Sequence, residues 1–155
     1  MKKMGIIMSL LTGLLGTLSS CMSHQGMPTG ELVSVEYTEN GTRAGNKYYG
    51  SVERQENGTV ILKAMKQNYD SIIEKKVDAE VLTHIQNVIK EHKMYKYKEK
   101  YRPILQVLDG YSWSFEAKFS DGQKIYSSGF NARPHDDGCE IIQAYMIEQV
   151  TADSH

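Results

Sequence analysis

The chain has 155 residues, with 18 Lys and Arg against 19 Asp and Glu, a formal net charge of −1. That is the length of one domain. A balance so close to neutral excludes a general nucleic-acid binder, which needs a basic footprint.

The first twenty residues stand apart from the rest. Lys2 and Lys3 give a positive start, and the 15 residues from Met4 to Leu18 carry no charge. A run of that length suits a signal-peptide apolar region and falls short of the ~20 residues that span a bilayer. Two small residues, Ser19 and Ser20, then lead to Cys21. The four residues Leu18-Ser19-Ser20-Cys21 resemble the bacterial lipobox: an aliphatic residue, two small ones, and the cysteine that is modified. In that family of lipoproteins the thiol takes a diacylglycerol, the preceding peptide is cleaved, and the new amine is acylated. The resemblance implies that residues 1–20 are a type II signal peptide, that Cys21 is the lipidation site, and that the membrane is the first partner. Two acyl chains, at about 0.8 kcal/mol per buried methylene, anchor far more firmly than one. Met22 rather than aspartate follows Cys21. By the family's sorting rule this implies the outer membrane of a Gram-negative cell envelope, with the protein facing the periplasm.

Lys2 and Lys3 leave with the peptide, so 16 basic residues then face 19 acidic ones, a formal −3. An even pair of cysteines in an exported protein suggests a disulfide. An acylated Cys21 has no free thiol, however, so Cys139 is expected to stand alone. Residues 21–30, rich in Ser, Gly, Gln and Pro, read as a flexible tether. Residues 31–155 read as a single domain.

Within it, Val33, Val35 and Tyr37 alternate with polar residues as in a half-buried strand, which Asn40-Gly41 is expected to close. Runs at 48–54 and 60–66 flank Glu56-Asn57-Gly58 and read as a hairpin. A three-residue loop sets Val52 opposite Leu62 and Gly50 opposite Ala64, keeping the apolar positions on one face. The period then changes. Val77, Val81, Leu82, Ile85, Val88, Ile89 and His92 form one stripe at helical spacing, with Asp78 as N-cap and Val77 and Leu82 as a hydrophobic staple. After a break at Pro103, Tyr111, Trp113, Phe115, Ala117 and Phe119 alternate with polar residues. Ser120-Asp121-Gly122 predicts a type I turn with a left-handed glycine, which sets Ile125 opposite Ala117. A second helix is expected over 137–150, with Ile142, Tyr145, Met146 and Gln149 inward. The order βββαββα predicts an α+β fold: an antiparallel sheet of about five strands with two helices packed on one face.

The residues that could carry chemistry have structural readings beside the functional ones. Asn40-Gly41-Thr42 and Asn57-Gly58-Thr59 match the glycosylation pattern, but Asn-Gly is first of all a turn dipeptide. His135, Asp136, Asp137 and Cys139 cluster before the second helix without a zinc-type spacing. Asp136 is expected to cap that helix, and neither metal nor cofactor is expected. The enzyme alternative uses Cys139 as nucleophile with a histidine such as His135. Between Lys93 and Arg102 basic and aromatic residues interleave. That run suits anionic lipid headgroups, or else it packs its tyrosines inward while its lysines protect a sheet edge.

The segment 95–150, above all Asp109-Gly110-Tyr111-Ser112-Trp113 and Ser127-Ser128-Gly129-Phe130-Asn131-Ala132-Arg133-Pro134, resembles a recurrent core of small uncharacterised bacterial envelope lipoproteins. The resemblance brings no activity with it. Gly129 and Asn131 tolerate unusual backbone angles, and strand-to-helix junctions often bind ligands. Asn131, Arg133 and His135 are therefore the candidate ligand-binding residues. The functional expectation is a lipid-anchored, non-enzymatic binding or interaction module, with an envelope protein or anionic headgroups as partner. Its alternatives are a small envelope enzyme and an accessory subunit of a membrane complex.

Overall fold

The computed structural model describes residues 26–41, 47–66, 71–105 and 110–152. Cys21 and the signal segment lie outside them. The fold is α+β, with a seven-stranded sheet where about five strands were expected. In chain order the elements are β1 (Leu32–Gly41), β2 (Lys47–Arg54), β3 (Val60–Ala64), β4 (Ile73–Val77) and α1 (Glu80–Glu91). A short 3₁₀ turn at Met94–Lys96 leads to β5 (Lys100–Tyr101), β6 (Tyr111–Phe119), β7 (Lys124–Phe130) and α2 (Gly138–Thr151).

The sheet order is β4-β3-β2-β1-β6-β7-β5, so β1 is central and pairs antiparallel with β2 and β6. All pairs are antiparallel except β5 with β7, which is parallel and makes the sheet mixed. The hairpin registers follow the expected ones: Val52 faces Leu62, Gly50 faces Ala64, and Ala117 faces Ile125. Gly58 and Gly122 both take φ of +82°, the left-handed conformation their turns require.

One face of the sheet carries the core. Val35, Tyr37, Val52, Leu62, Phe115 and Ala117 are each 0–2% exposed beneath the two helices. From α1 come Val81, Leu82, Ile85, Val88 and Ile89, and from α2 Cys139, Ile142, Met146 and Val150. Gly50 is required by this packing, since a Cβ there would lie 2.3 Å from the Tyr48 hydroxyl and 2.6 Å from the Met146 sulfur. The helices meet where His84 stacks on Tyr145, ring centroids 4.0 Å apart.

Several expectations are corrected. A register shift between Leu32 and Ser34 puts Leu32 in the core at 1% exposure, while Val33 is only half-buried. Asn40 and Gly41 are the last two residues of β1, as expected, and pair with Ser112 and Tyr111. Val77 ends β4 opposite Val60 instead of opening the helix stripe. Asp78 is no side-chain cap: α1 starts after Ala79, which makes no capping side-chain bond. The strand at 73–77 escapes an alternation test because Lys75 occupies its middle position, opposite the fully buried Leu62. Its ammonium reaches past the core to donate to the Gln149 carbonyl at 2.9 Å, near the C-terminal end of α2 where a cation is favoured.

The entering chain is tied down early. Asp121 accepts from the Thr29 N–H and hydroxyl at 3.1 Å each and from the Gly30 N–H at 2.8 Å. Gln86 on α1 clasps the same segment, accepting from the Leu32 N–H and donating to the Gly30 carbonyl. Among the described residues the buried hydrophobic core lies between Leu32 and Val150. A protein of residues 22–155 keeps all of these and is expected to unfold in one cooperative urea transition. Phe115→Ala should lower its stability by about 3–5 kcal/mol, the usual cost of emptying a buried aromatic site.

Candidate functional site

The loop joining β7 to α2 carries the three sequence-derived candidates. Asn131 sits at φ 49°, the left-handed region that asparagine tolerates better than most residues. Its N–H donates to the Tyr111 carbonyl at 2.9 Å, and its Oδ1 accepts from the Tyr111 N–H at 2.8 Å. Asn131 thus stitches the end of β7 to the start of β6. Gly129 serves a close approach rather than an unusual φ. A Cβ there would lie 2.3 Å from both the Trp113 indole nitrogen and the Ala132 carbonyl, which bond to each other at 2.7 Å.

Arg133 turns inward. Its guanidinium stacks 4.7 Å from the centre of the Tyr111 ring and donates to Glu39 on β1 and to Glu140 in the first turn of α2. Glu39 is 9% exposed and also accepts from the Tyr37 hydroxyl at 2.5 Å. Burial works against the Arg133 charge, but Tyr37, Glu39 and Glu140 outweigh it and raise its pKa above the ordinary arginine value. Asn131 and Arg133 thus meet at Tyr111. His135 is exposed on the same loop and stands outside this cluster.

A second cluster caps α2. Asp136 accepts from the Gly138 N–H at 3.0 Å and from the Tyr97 hydroxyl, so it satisfies one donor at the helix start, although the N-cap residue is Asp137, which makes no side-chain cap bond. Asp137 faces the His92 imidazole, Oδ1 to Nδ1 3.3 Å. Cys139 lies behind both clusters at 6% exposure. Burial pushes its thiol pKa well up, and Glu140 and Asp136 push it further, so the thiol stays neutral. His135, Asp136, Asp137 and Cys139 thus diverge. Among the described residues no group of three or more His, Cys, Asp or Glu side chains is arranged to hold a metal ion.

The space enclosed by Tyr37, Tyr97, Trp113, Arg133 and Cys139 is about 10 Å³, the least that holds one water. This junction is a closed clasp. Open hollows lie elsewhere: one of about 580 Å³ beside α1, over Met27, Arg54, Leu82 and Lys90, and two on the uncovered face of the sheet. Of these two, one of about 370 Å³ is bordered by Glu36, Glu53, Glu116, Lys63 and Lys118. Another, of about 420 Å³, runs over Thr38, Ser114 and Ser128 to Lys100, Arg102 and Phe130. The sequence reading missed these faces because their residues are the ordinary polar half of each alternating strand.

No protein-family model matches this chain, and no curated protein matches it. Among the described residues no helix is long and apolar enough to cross a membrane.

The clasp makes two predictions. Arg133→Met leaves the buried Glu39 with Tyr37 alone and should cost about 2–3 kcal/mol in urea denaturation. That is less than the ~3–5 kcal/mol of a fully buried pair, because the arginine keeps 29% exposure. Adding Glu39→Leu together with Tyr37→Phe, which removes the carboxylate and the hydroxyl that donates to it, should recover most of the loss.

The second concerns alkaline pH. Burial raises the pKa of Tyr37 and Tyr48, with Glu39 adding to both, and burial with the bond to Asp136 raises that of Tyr97. The unfolded chain therefore releases these protons from about pH 10 upward while the folded chain keeps them. Stability should be intact below that pH and fall above it by about 1.4 kcal/mol per pH unit for each tyrosine ionised only when unfolded. Tyr48→Phe, which gives up only a 3.6 Å contact to the Met146 sulfur, should make the alkaline fall shallower in pH-dependent melts.

Proposed function

We propose that this is a lipid-anchored protein of the bacterial cell envelope, held through Cys21, whose α+β domain is a non-enzymatic binding or interaction module. The observation that carries the anchor is the ordered series of Lys2-Lys3, an uncharged stretch and Leu18-Ser19-Ser20-Cys21. Thr29, eight residues after Cys21, is held by Asp121, which would leave only a short stretch of chain between an anchor at Cys21 and the domain. Met22 after Cys21 favours the outer membrane, facing the periplasm.

The binding-module reading draws on the contrast between the sheet's two faces. The inner face is filled by helices, while the outer one is open, polar and hollowed over both wings. The enzyme alternative rests on Cys139 with His135, and the geometry speaks against that pair. The thiol is buried and kept neutral, whereas His135 is on the surface. A nucleophilic cysteine needs the opposite environment, partly exposed and electropositive.

Protein extracted from its native membranes should lack residues 1–20 and carry added acyl mass by intact mass spectrometry. Cys21→Ser should abolish that added mass and move the protein out of the membrane fraction. An unmodified Cys21 in membrane-extracted protein would overturn the anchor.

A further inference from the structure

The run from Lys93 to Arg102 holds five basic side chains and one acidic one. The structure separates its two kinds of residue. Tyr95, Tyr97 and Tyr101 pack against the core, whereas Lys96, Lys98, Lys100 and Arg102 are exposed. Tyr101 contacts Tyr97 edge-on at 6.4 Å and the Trp113 ring at 5.8 Å, so the aromatic side fixes a backbone whose cations face outward.

Lys100 and Arg102 border the 420 Å³ groove on the outer sheet face, together with Tyr126 and Phe130. Among the described residues no Asp or Glu lines that groove. Both aromatic residues are 42% exposed. Just past Arg102 the chain presents Ile104, fully in solvent, and Leu105 at 78% exposure. Adjacent aliphatic side chains held in water are costly, and here they follow Arg102 within three residues of chain. A bilayer surface matches that combination: phosphates for the cations, the acyl boundary for the aliphatics, and the headgroup layer for the aromatic rings.

We propose that this edge, formed by Lys100, Arg102, Ile104, Leu105, Tyr126 and Phe130, is a second membrane contact that takes anionic phospholipid headgroups. It lays the domain against the bilayer, and it rests on the anchored reading only in assuming that a bilayer is near. The dimensions allow both contacts at once. Asp121, which holds the entering chain, precedes β7, and the edge lies at the far end of that strand. Seven residues at about 3.3 Å each separate the two by roughly 20 Å. The six residue steps from Cys21 to Met27 span at most about 20 Å. A domain lying on its side reaches the surface with both.

The test uses residues 22–155, which keep every described core residue and carry no lipid, in co-sedimentation with vesicles. Binding is expected to vesicles of equal phosphatidylglycerol and phosphatidylcholine, at least tenfold weaker to phosphatidylcholine alone, and lost in 0.5 M salt at about a 4 Å screening length. Lys100→Glu with Arg102→Glu, and separately Ile104→Asp with Leu105→Asp, should each weaken binding at least tenfold with unchanged circular dichroism. Lys76→Glu, on the opposite sheet edge, should leave it unchanged. Folded protein that ignores both vesicle types, or variants that bind as well as the parent, would overturn the proposal and mark the edge as a protein-facing surface. Because this protein lacks the lipid, such a failure leaves the Cys21 anchor to be judged by mass alone.

Discussion

A carboxylate sits on the inner row of the sheet's central strand, and much of the molecule is arranged around satisfying it. Glu39 follows Val35 and Tyr37 on the buried side of β1, where an unpaired charge would cost several kcal/mol. Its partners come from two directions: Tyr37 from its own strand and Arg133 from the β7–α2 loop, whose guanidinium also binds Glu140. Reaching Glu39 obliges the loop to turn inward after Phe130, and the left-handed Asn131 supplies that turn. Tyr111 offers its ring as a platform for the arginine and its backbone to Asn131. With Arg133 also bound to the first turn of α2, the helix start is fixed relative to β1. That places Cys139, Ile142 and Met146 over the core.

The opposite end of the molecule is held by a different device. Asp121, fully exposed in the β6–β7 turn, gathers four donors from Thr29, Gly30 and Gln123. The Gln123 N–H is first among the influences that lower its carboxyl pKa. Hydrogen bonds to a solvated carboxylate add little net stability, yet they define where the chain enters the fold. The Glu39 clasp thus orders the loop end of the domain, and the Asp121 clasp orders the end nearest the proposed anchor. Between them the sheet carries the load of the core.

The sequence disclosed those parts of the fold where one physical signal acts alone. Alternation in Tyr111–Phe119 placed β6 to the residue, and the glycines of two tight turns placed the hairpin registers. Where two signals compete, the reading failed. Lys75 hides β4 because a long side chain satisfies an inward position by running to a helix end, and no alternation test sees that. β5 has two residues, too few for any period. A bulge replaces Val33 with Leu32 in the core, since an added residue inverts the faces of a strand. Glu39 was passed over for the same reason as the outer-face hollows. A polar residue ending an alternating strand looks solvated until a distant arginine is known to meet it. Asn131 was legible as a backbone device, whereas the inward course of Arg133 depends on a contact 94 residues away.

The two sheet edges also differ in a way that bears on function. A free edge invites pairing with another chain, and short strands with charged side chains discourage it. β4 follows that pattern, with Glu74, Lys75 and Lys76 in a five-residue strand. β5 begins in the same manner, with two residues, exposed Lys98 and Lys100 at its start and exposed Arg102 after it. The chain then departs from the pattern by setting Ile104 and Leu105 in solvent directly beyond Arg102. Edge protection explains the lysines but gives no reason for the aliphatic pair, which raises the very risk that the lysines reduce. A surface that meets a bilayer accounts for both sets of residues with one requirement, because cations and apolar side chains there have separate layers to enter.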